Sequence, residues 1–222
     1  MLVSILLPSR GRPRACEESI KSIFDNALVK DRIEVMLAID EDDQSNYEWT
    51  KDSEYSAFIK KHITPRYGYN AFYKYANFLS EKSVGKWLFL WNDDVTMLSK
   101  DWDEALSRVN KFCVISPEGP DFGGCLFPII PSQWVKITGR FSNVCQNDSW
   151  IEYIGRNLNI LVSSKEIFIS HNKEKVVNEQ LYFPGIHPSL HSDIVYASED
   201  TDTLGRWHAQ EIERKIDLKK IF

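Results

Sequence analysis

Three clusters of chemically capable side chains each follow an apolar run: Arg10, Arg12 and Arg14 after Val3 to Pro8, Asp40-Glu41-Asp42-Asp43 after Ile33 to Ile39, and Asn92-Asp93-Asp94 directly after Trp-Leu-Phe-Leu-Trp. Adjacent carboxylates at the tip of a buried segment repel one another unless a cation or solvent separates them. Hard divalent cations such as Mg²⁺ and Mn²⁺ take oxygen ligands and bridge protein carboxylates to phosphates. Arginine presents a planar fork of donors that fits a phosphate or a base edge, so the basic cluster reads either as an anion-binding turn or as a solvated loop. The acidic pair also fits an ordinary turn, because Asn and Asp are turn formers. A fourth cluster, Asn147-Asp148-Ser149, precedes an apolar-periodic stretch, which is the usual signal for a helix N-cap. His171 follows Glu-Ile-Phe-Ile-Ser, and a neutral imidazole there suits Mn²⁺. His187, His191 and Asp193 have ligand-like chemistry, but Pro188 breaks any regular helix that would align them, so they read as a loop.

Hydrophobic periodicity marks the elements that must hold these groups. Val3 to Pro8 is predicted to be a buried strand running into a loop. Helical spacing follows at Cys16, Ile20, Ile23 and Phe24, and a second buried strand at Ile33 to Ile39. Strand, helix, strand is the signature of a parallel sheet with right-handed crossovers. A helix is predicted around Glu54 to His62. A clearer one places Phe72, Tyr75, Ala76 and Leu79 on one face, with Asn70 as its cap and Gly85 closing it. Lys86 to Trp91 is the third strand. Asp101 is predicted to cap the next helix, with Glu104 at the third position of a capping box. Strands are predicted at Phe112 to Ser116, Cys125 to Ile130 and Glu166 to Ser170, with a Pro/Gly-rich loop over 117–124. Helices are predicted as a short piece ending at Gly139, then Asp148 to Asn157, and a charged one at about Leu204 to Ile216. In an open α/β sheet ligands bind beyond the carboxyl ends of the strands, so the three clusters converge on one crevice if the sheet is parallel.

Composition narrows the class. The chain has 222 residues, 43% hydrophobic and 13% aromatic, enough for one sizeable α/β domain over 1–172 and a C-terminal extension over 173–222 with a loop and a helix. Within the first part, about 1–98 would bind nucleotide and about 99–172 would face the acceptor. The net charge of −5 gives no bulk drive towards nucleic acid. No apolar run approaches the roughly 18 residues of a membrane span, and Leu2 to Leu7 is too short for a signal peptide, so a cytoplasmic protein is expected. The four cysteines lack CxxC spacing and read as reduced.

The order of segments resembles family 2 glycosyltransferases and their GT-A relatives. Val-Ser-Ile-Leu-Leu-Pro-Ser-Arg-Gly-Arg-Pro is similar to the family's first strand and its nucleotide-facing loop. Val-Met-Leu-Ala-Ile-Asp-Glu-Asp-Asp, which carries Asp40 and Asp42, is similar to the strand whose paired Asp reads the base. The stretch from Arg66 to Val95 resembles the segment leading to the family's DxD motif, with Asn92 at its first position and Asp94 at its last. The resemblance implies a GT-A (Rossmann-like) fold with a mostly parallel sheet flanked by helices. It implies donor contacts from Pro8, Ser9, Arg10, Arg12, Asp40, Asp42, Asn92 and Asp93, and a Mn²⁺ or Mg²⁺ ion on Asp94, with His171 reaching the metal or pyrophosphate. Phe127 to Phe141 resembles the acceptor-side segment, which makes Trp134 the candidate for stacking on a sugar. Asp148 falls where the family keeps its general base, and Asn147 stands where Glu is usual. The implied reaction is inverting transfer from a nucleotide-sugar, a UDP-sugar first among donors, to a saccharide, lipid or protein acceptor. Two rivals use the same features: a sugar nucleotidyltransferase, which usually has a richer glycine loop than Ser-Arg-Gly-Arg-Pro-Arg, and a non-catalytic nucleotide- or glycan-binding domain of the same fold.

Overall fold

The computed structural model describes the backbone of residues 1–120, 124–171 and 190–221. Strand β1 (Val3–Ser9), helix α1 (Pro13–Asp25) and strand β2 (Ile33–Asp40) open the chain, and β1 pairs in parallel with β2 from Val3↔Ile33 to Ser9↔Ile39. Both strands are buried along their whole length, as continuous apolar runs in a sheet covered on both faces should be. Next come β3 (Ile59–Thr64), α2 (Phe72–Lys82), β4 (Trp87–Leu90), β5 (Val95–Met97) and α3 (Trp102–Ser107). The chain continues with β6 (Val114–Glu118), β7 (Ile129–Pro131), α4 (Gln133–Thr138), α5 (Asn147–Asn157), β8 (Leu161–His171) and α6 (Leu190–Ile221). The sheet order is β3-β2-β1-β4-β7-β6-β8-β5. Strands β3, β2, β1 and β4 run parallel, as do β6 and β8, while β7 and β5 are antiparallel to their neighbours.

Alternation along the strands sorts two cores, one on each face. Val3, Ile5 and Leu7 with Ile33, Val35 and Leu37 meet Cys16, Ile20, Ile23 and Phe24 of α1 and Trp102 of α3. Leu6, Met36, Ala38 and Leu88 face the other way, onto Tyr75 and Leu79 of α2, Trp134 of α4, Trp150 and Ile154 of α5, and Ala197 and Leu204 of α6. The result is a three-layer α/β/α arrangement. No described helix is long and apolar enough to cross a membrane.

Several local expectations change. The helix expected around Glu54 to His62 is a short 3₁₀ turn at Ser56–Phe58 followed by β3, whose residues pair with the free edge of β2 from Val35↔Ile59 to Asp40↔Thr64. Edge pairing satisfies the backbone there, and Lys60 reaches across to Glu34. Asp101 is no side-chain cap: it takes a left-handed conformation at φ 56°, and the buried acid is Asp103, which accepts from the Leu28 and Val29 amides at 2.7 and 3.0 Å. Asn70 lies within a 3₁₀ turn ahead of α2, and the residue at the N-cap is Ala71. Strand β7 covers only the end of the predicted Cys125 to Ile130. Strand β8 is far longer than Glu166 to Ser170, because its first half pairs with β6 and its last residues with β5. The polar run Ser163-Ser164-Lys165 hid that first half. Gly139 ends α4 in the left-handed region at φ 77°, as expected of a glycine C-cap.

Candidate active site

The candidate residues gather where β1, β2 and β4 end. Pro8 and Ser9 are the last residues of β1, and the chain then turns through Arg10 and Gly11 (φ 66°) into α1. Gly11 donates its amide to Asp43 at 2.6 Å, which ties this turn to the loop after β2. Two linked acid–base groups result.

The first joins the tips of β1 and β2. Arg10 donates to Asp40 at 3.0 Å and embraces Asp42 with both terminal nitrogens, one contact at 2.9 Å. The hydrogen bond to Asp42 is the main reason the Arg10 guanidinium is held above its ordinary value, against the cost of its burial. Asp40 is 2% exposed, and its other oxygen accepts from the Tyr75 hydroxyl. Burial, with Asp40 beside it, pushes Tyr75 up to about 12. Asp40 is thus fully engaged, while Asp42 remains open to solvent.

The second group joins β1 to the turn after β4. Ser9 donates to Asp93 at 2.5 Å and contacts the Tyr47 hydroxyl at 2.7 Å; with its own proton on Asp93, Ser9 receives from Tyr47. The Arg12 guanidinium pairs with Asp93 through one terminal nitrogen and lies 3.4 Å from Asp94 through the other. Burial pushes Asp93 up to about 6, against Arg12 and Ser9, which favour its charge. Burial also opposes charge on Asp94, but His171 and Arg12 together hold that carboxyl below its ordinary range. His171 Nε2 sits 3.3 Å from Asp94. The antiparallel pairing of β5 with β8 places it there, since His171 is registered opposite Val95, the residue that follows Asp94.

Asp148 is in the first turn of α5, where Gln146 occupies the N-cap without a side-chain hydrogen bond. Its carboxylate accepts from the Ser149 amide at 2.8 Å. Burial raises its pKa, Glu152 adds to the rise, and His171 is near enough for its charge to oppose it. Asn147 is 1% exposed and accepts from Ser142, so it faces the interior. Asn92 is half-buried, and its backbone carbonyl accepts from the Val95 amide at 3.2 Å. Trp134 is a correction: it is 0% exposed, inside the second core, and offers no face to a sugar. His187 and the side chains of His191 and Asp193 lie outside the described residues.

Sequence reading missed Tyr47 and Tyr75 as parts of this site, and it placed Asp43 in the acidic cluster without giving it a role. Tyr75 was legible only as a core residue of α2, and Tyr47 lies in a polar stretch without a motif. Their roles come from contacts far along the chain: Ser9 to Tyr47 spans 38 residues and Asp40 to Tyr75 spans 35.

A divalent cation fits the residues present. Asp94 Oδ1 and His171 Nδ1 are buried and have no hydrogen-bond partner among the described residues. Two protein ligands leave most of a coordination shell to phosphate oxygens and water, which is common for Mg²⁺. Among the described residues there is no cluster of three or more His, Cys, Asp or Glu that would cage an ion by itself.

No family model matches the chain, and no curated protein matches it in sequence. Solved structures do. S. aureus TarS 1–349 in complex with UDP-GlcNAc aligns over 90% of this chain and 66% of its own, with TM-score 0.65 and 11% identity. The mannosyltransferase PcManGT from Pyrobaculum calidifontis, in complex with GDP-Man and Mn²⁺, aligns over 92% of this chain and 71% of its own, with TM-score 0.62 and 11% identity. The chain has the GT-A fold. Another structure of TarS 1–349 aligns over 78% of this chain at TM-score 0.59 and 13% identity, and there the chain spans only 60% of the neighbour's length. The GT-A sheet brings Arg10, Asp40 and Asp42 together at the tips of β1 and β2, and Arg12, Asp93, Asp94 and His171 together at the turn after β4.

Proposed function

We propose that the chain is a glycosyltransferase that moves a sugar from a nucleoside-diphosphate donor, a UDP-sugar first among them, to a hydroxyl of a saccharide, lipid or protein, inverting the anomeric centre. The observation that carries this reading is the buried, unpartnered Asp94 oxygen next to Arg12 and His171 at the carboxyl edge of a GT-A sheet. TarS in complex with UDP-GlcNAc and PcManGT in complex with GDP-Man and Mn²⁺ share that fold, which supports a donor of this class.

Asp94 and His171 would hold Mn²⁺ or Mg²⁺, which when bound neutralises charge on the leaving diphosphate. Arg10 and Asp42 offer paired donors and acceptors to the base and ribose, while Asp40 fixes Arg10 from behind. Asp148 is the general base: its burial raises its proton affinity, which brings a carboxylate closer to the task of taking a hydroxyl proton. Residues 1–172 carry this machinery, and 173–222 form an extension to it.

The test has two parts. A thermal-shift screen of UDP, GDP and their sugars with Mn²⁺ should stabilise the protein, by about 2.7 kcal/mol at a hundred times Kd. Asp148→Asn should keep that binding and lower donor turnover by about 100-fold or more. Full turnover by Asp148→Asn removes the base assignment. Binding without turnover by the unmodified chain, across donors and acceptors, favours a non-catalytic binding domain instead.

A further inference from the structure

The acidic motif after β4 carries a cation of its own. Asp93 is 1% exposed, with one oxygen accepting from Ser9 at 2.5 Å and the other paired with Arg12. Its Oδ1 has Arg12 as its charged partner and no hydrogen bond among the described residues, so the guanidinium already stands where a cation on Asp93 would. Asp94 is shared between Arg12 and His171, and the first motif position is the neutral Asn92. Arg12, with 16% of its side chain exposed, sits between both carboxylates, and its Nε is buried without a partner among the described residues. A guanidinium has five N–H donors, so contacts to two carboxylates leave some for a phosphate. Arg12 is also the N-cap residue of α1, a helix whose first turn has no acidic residue. A cation at that end of a helix is disfavoured by the dipole, and an anion is favoured.

Resting on the donor-site reading above, we infer that Arg12 is a resident cation of the diphosphate site, so that nucleoside diphosphate binding persists without a divalent metal, with Asp93 as the positioning residue that aims Arg12. The metal then adds to a charge already in place. Ser9 and Tyr47, behind Asp93, complete the support.

Calorimetry in EDTA compares UDP with uridine and GDP with guanosine, using the unmodified chain, Arg12→Gln, Arg12→Lys and Asp93→Asn. The unmodified chain should bind the diphosphate at least tenfold more tightly than its nucleoside. Arg12→Gln should lose that preference with nucleoside affinity unchanged, and Arg12→Lys should keep part of it. Asp93→Asn should reduce the preference without changing nucleoside affinity, an effect that a purely structural role would not give. Should Arg12→Gln not fold, Asp93→Asn decides: an undiminished preference there overturns the inference, because Asp93 would not be aiming the guanidinium. An unchanged preference in Arg12→Gln, or none in the unmodified chain until Mn²⁺ is added, also overturns it. If the unmodified chain binds none of the four compounds with or without Mn²⁺, the donor-site reading fails and takes this inference with it. That outcome is distinct from a failure of Arg12 alone.

Discussion

Glu34 shows what a single buried acid requires. It is 1% exposed on β2, yet its oxygens accept from Ser4 at 2.5 Å, Lys60 at 2.5 Å and the Val84 amide at 2.9 Å. Burial works against its charge, but Lys60, Ser4 and Val84 outweigh it, and the net effect holds its pKa below the ordinary value. A depressed acid supplies stability that is complete above the unfolded value, about 4.3 for Glu, and is lost as pH falls through the lower folded value. Urea midpoints of Glu34→Gln should therefore trail those of the unmodified chain at pH 7, and the gap should close below about pH 4. A gap that widens on acidification would show that Lys60 and Ser4 do not favour the charge. At the candidate site, the sequence offered arginines and acids as donor contacts without pairing them with one another. The structure divides them, Arg10 to Asp40 and Asp42, Arg12 to Asp93 and Asp94. Residue type marked all six as chemically capable, but pairing across 30 to 82 residues of chain is not a local property.

At the scale of elements, two glycines separate close approach from backbone strain. A Cβ on Gly85 would stand 2.6 Å from the Ser4 amide nitrogen and 2.8 Å from the Val3 carbonyl carbon. Strand β1 cannot yield, since it is held between β2 and β4. Gly85→Ala should cost about 1–3 kcal/mol as overpacking, with the loss of the Gly85 amide bond to Ser4 at 2.9 Å expected beside it. Gly139 has nothing within 4 Å of such a Cβ, so Gly139→Ala should cost only the left-handed backbone, about 1–2 kcal/mol. Chemical unfolding of both variants checks this, and equal midpoints for Gly85→Ala and the unmodified chain would mean that the strand can shift. Elements with a strong period were legible: β1, β2, α1 and α2 fall where alternation or 3.6-residue spacing put them. Strand β3 and the first half of β8 were not, because each is partly exposed and takes its identity from a neighbouring strand.

The whole molecule includes its C-terminal helix in the same packed body. Ala197 and Leu204 of α6 are fully buried in the second core, and Arg140, just past α4, donates to both oxygens of Asp200 at 3.1 and 2.9 Å. Asp200 has 4% of its side chain exposed, whereas Arg140 keeps 31%. Removing the acid should then cost about 1.5 kcal/mol, near the low end for a charged hydrogen bond, because water can serve the arginine left behind. Urea unfolding of Asp200→Ala measures it. A midpoint unchanged by that substitution would mean that apolar contacts alone dock the helix. The sequence foresaw a charged helix there, from about Leu204, but not that α6 begins at Leu190 or packs on α4 and α5.

By itself the sequence determined the α/β class, the buried strands and the positions of the acidic and basic clusters at strand ends, because those follow from hydrophobic period and residue chemistry over short stretches. Only the tertiary structure decided that Asp40 is spent on Tyr75 and Arg10, that Trp134 is core, and that His171 meets Asp94. Each of those depends on strand order and register, which bring together groups far apart in the chain. The motif after β4 is the clearest case. Its acids were visible as a pair, but the partner that Asp93 keeps and the oxygen that Asp94 leaves free were set by the fold.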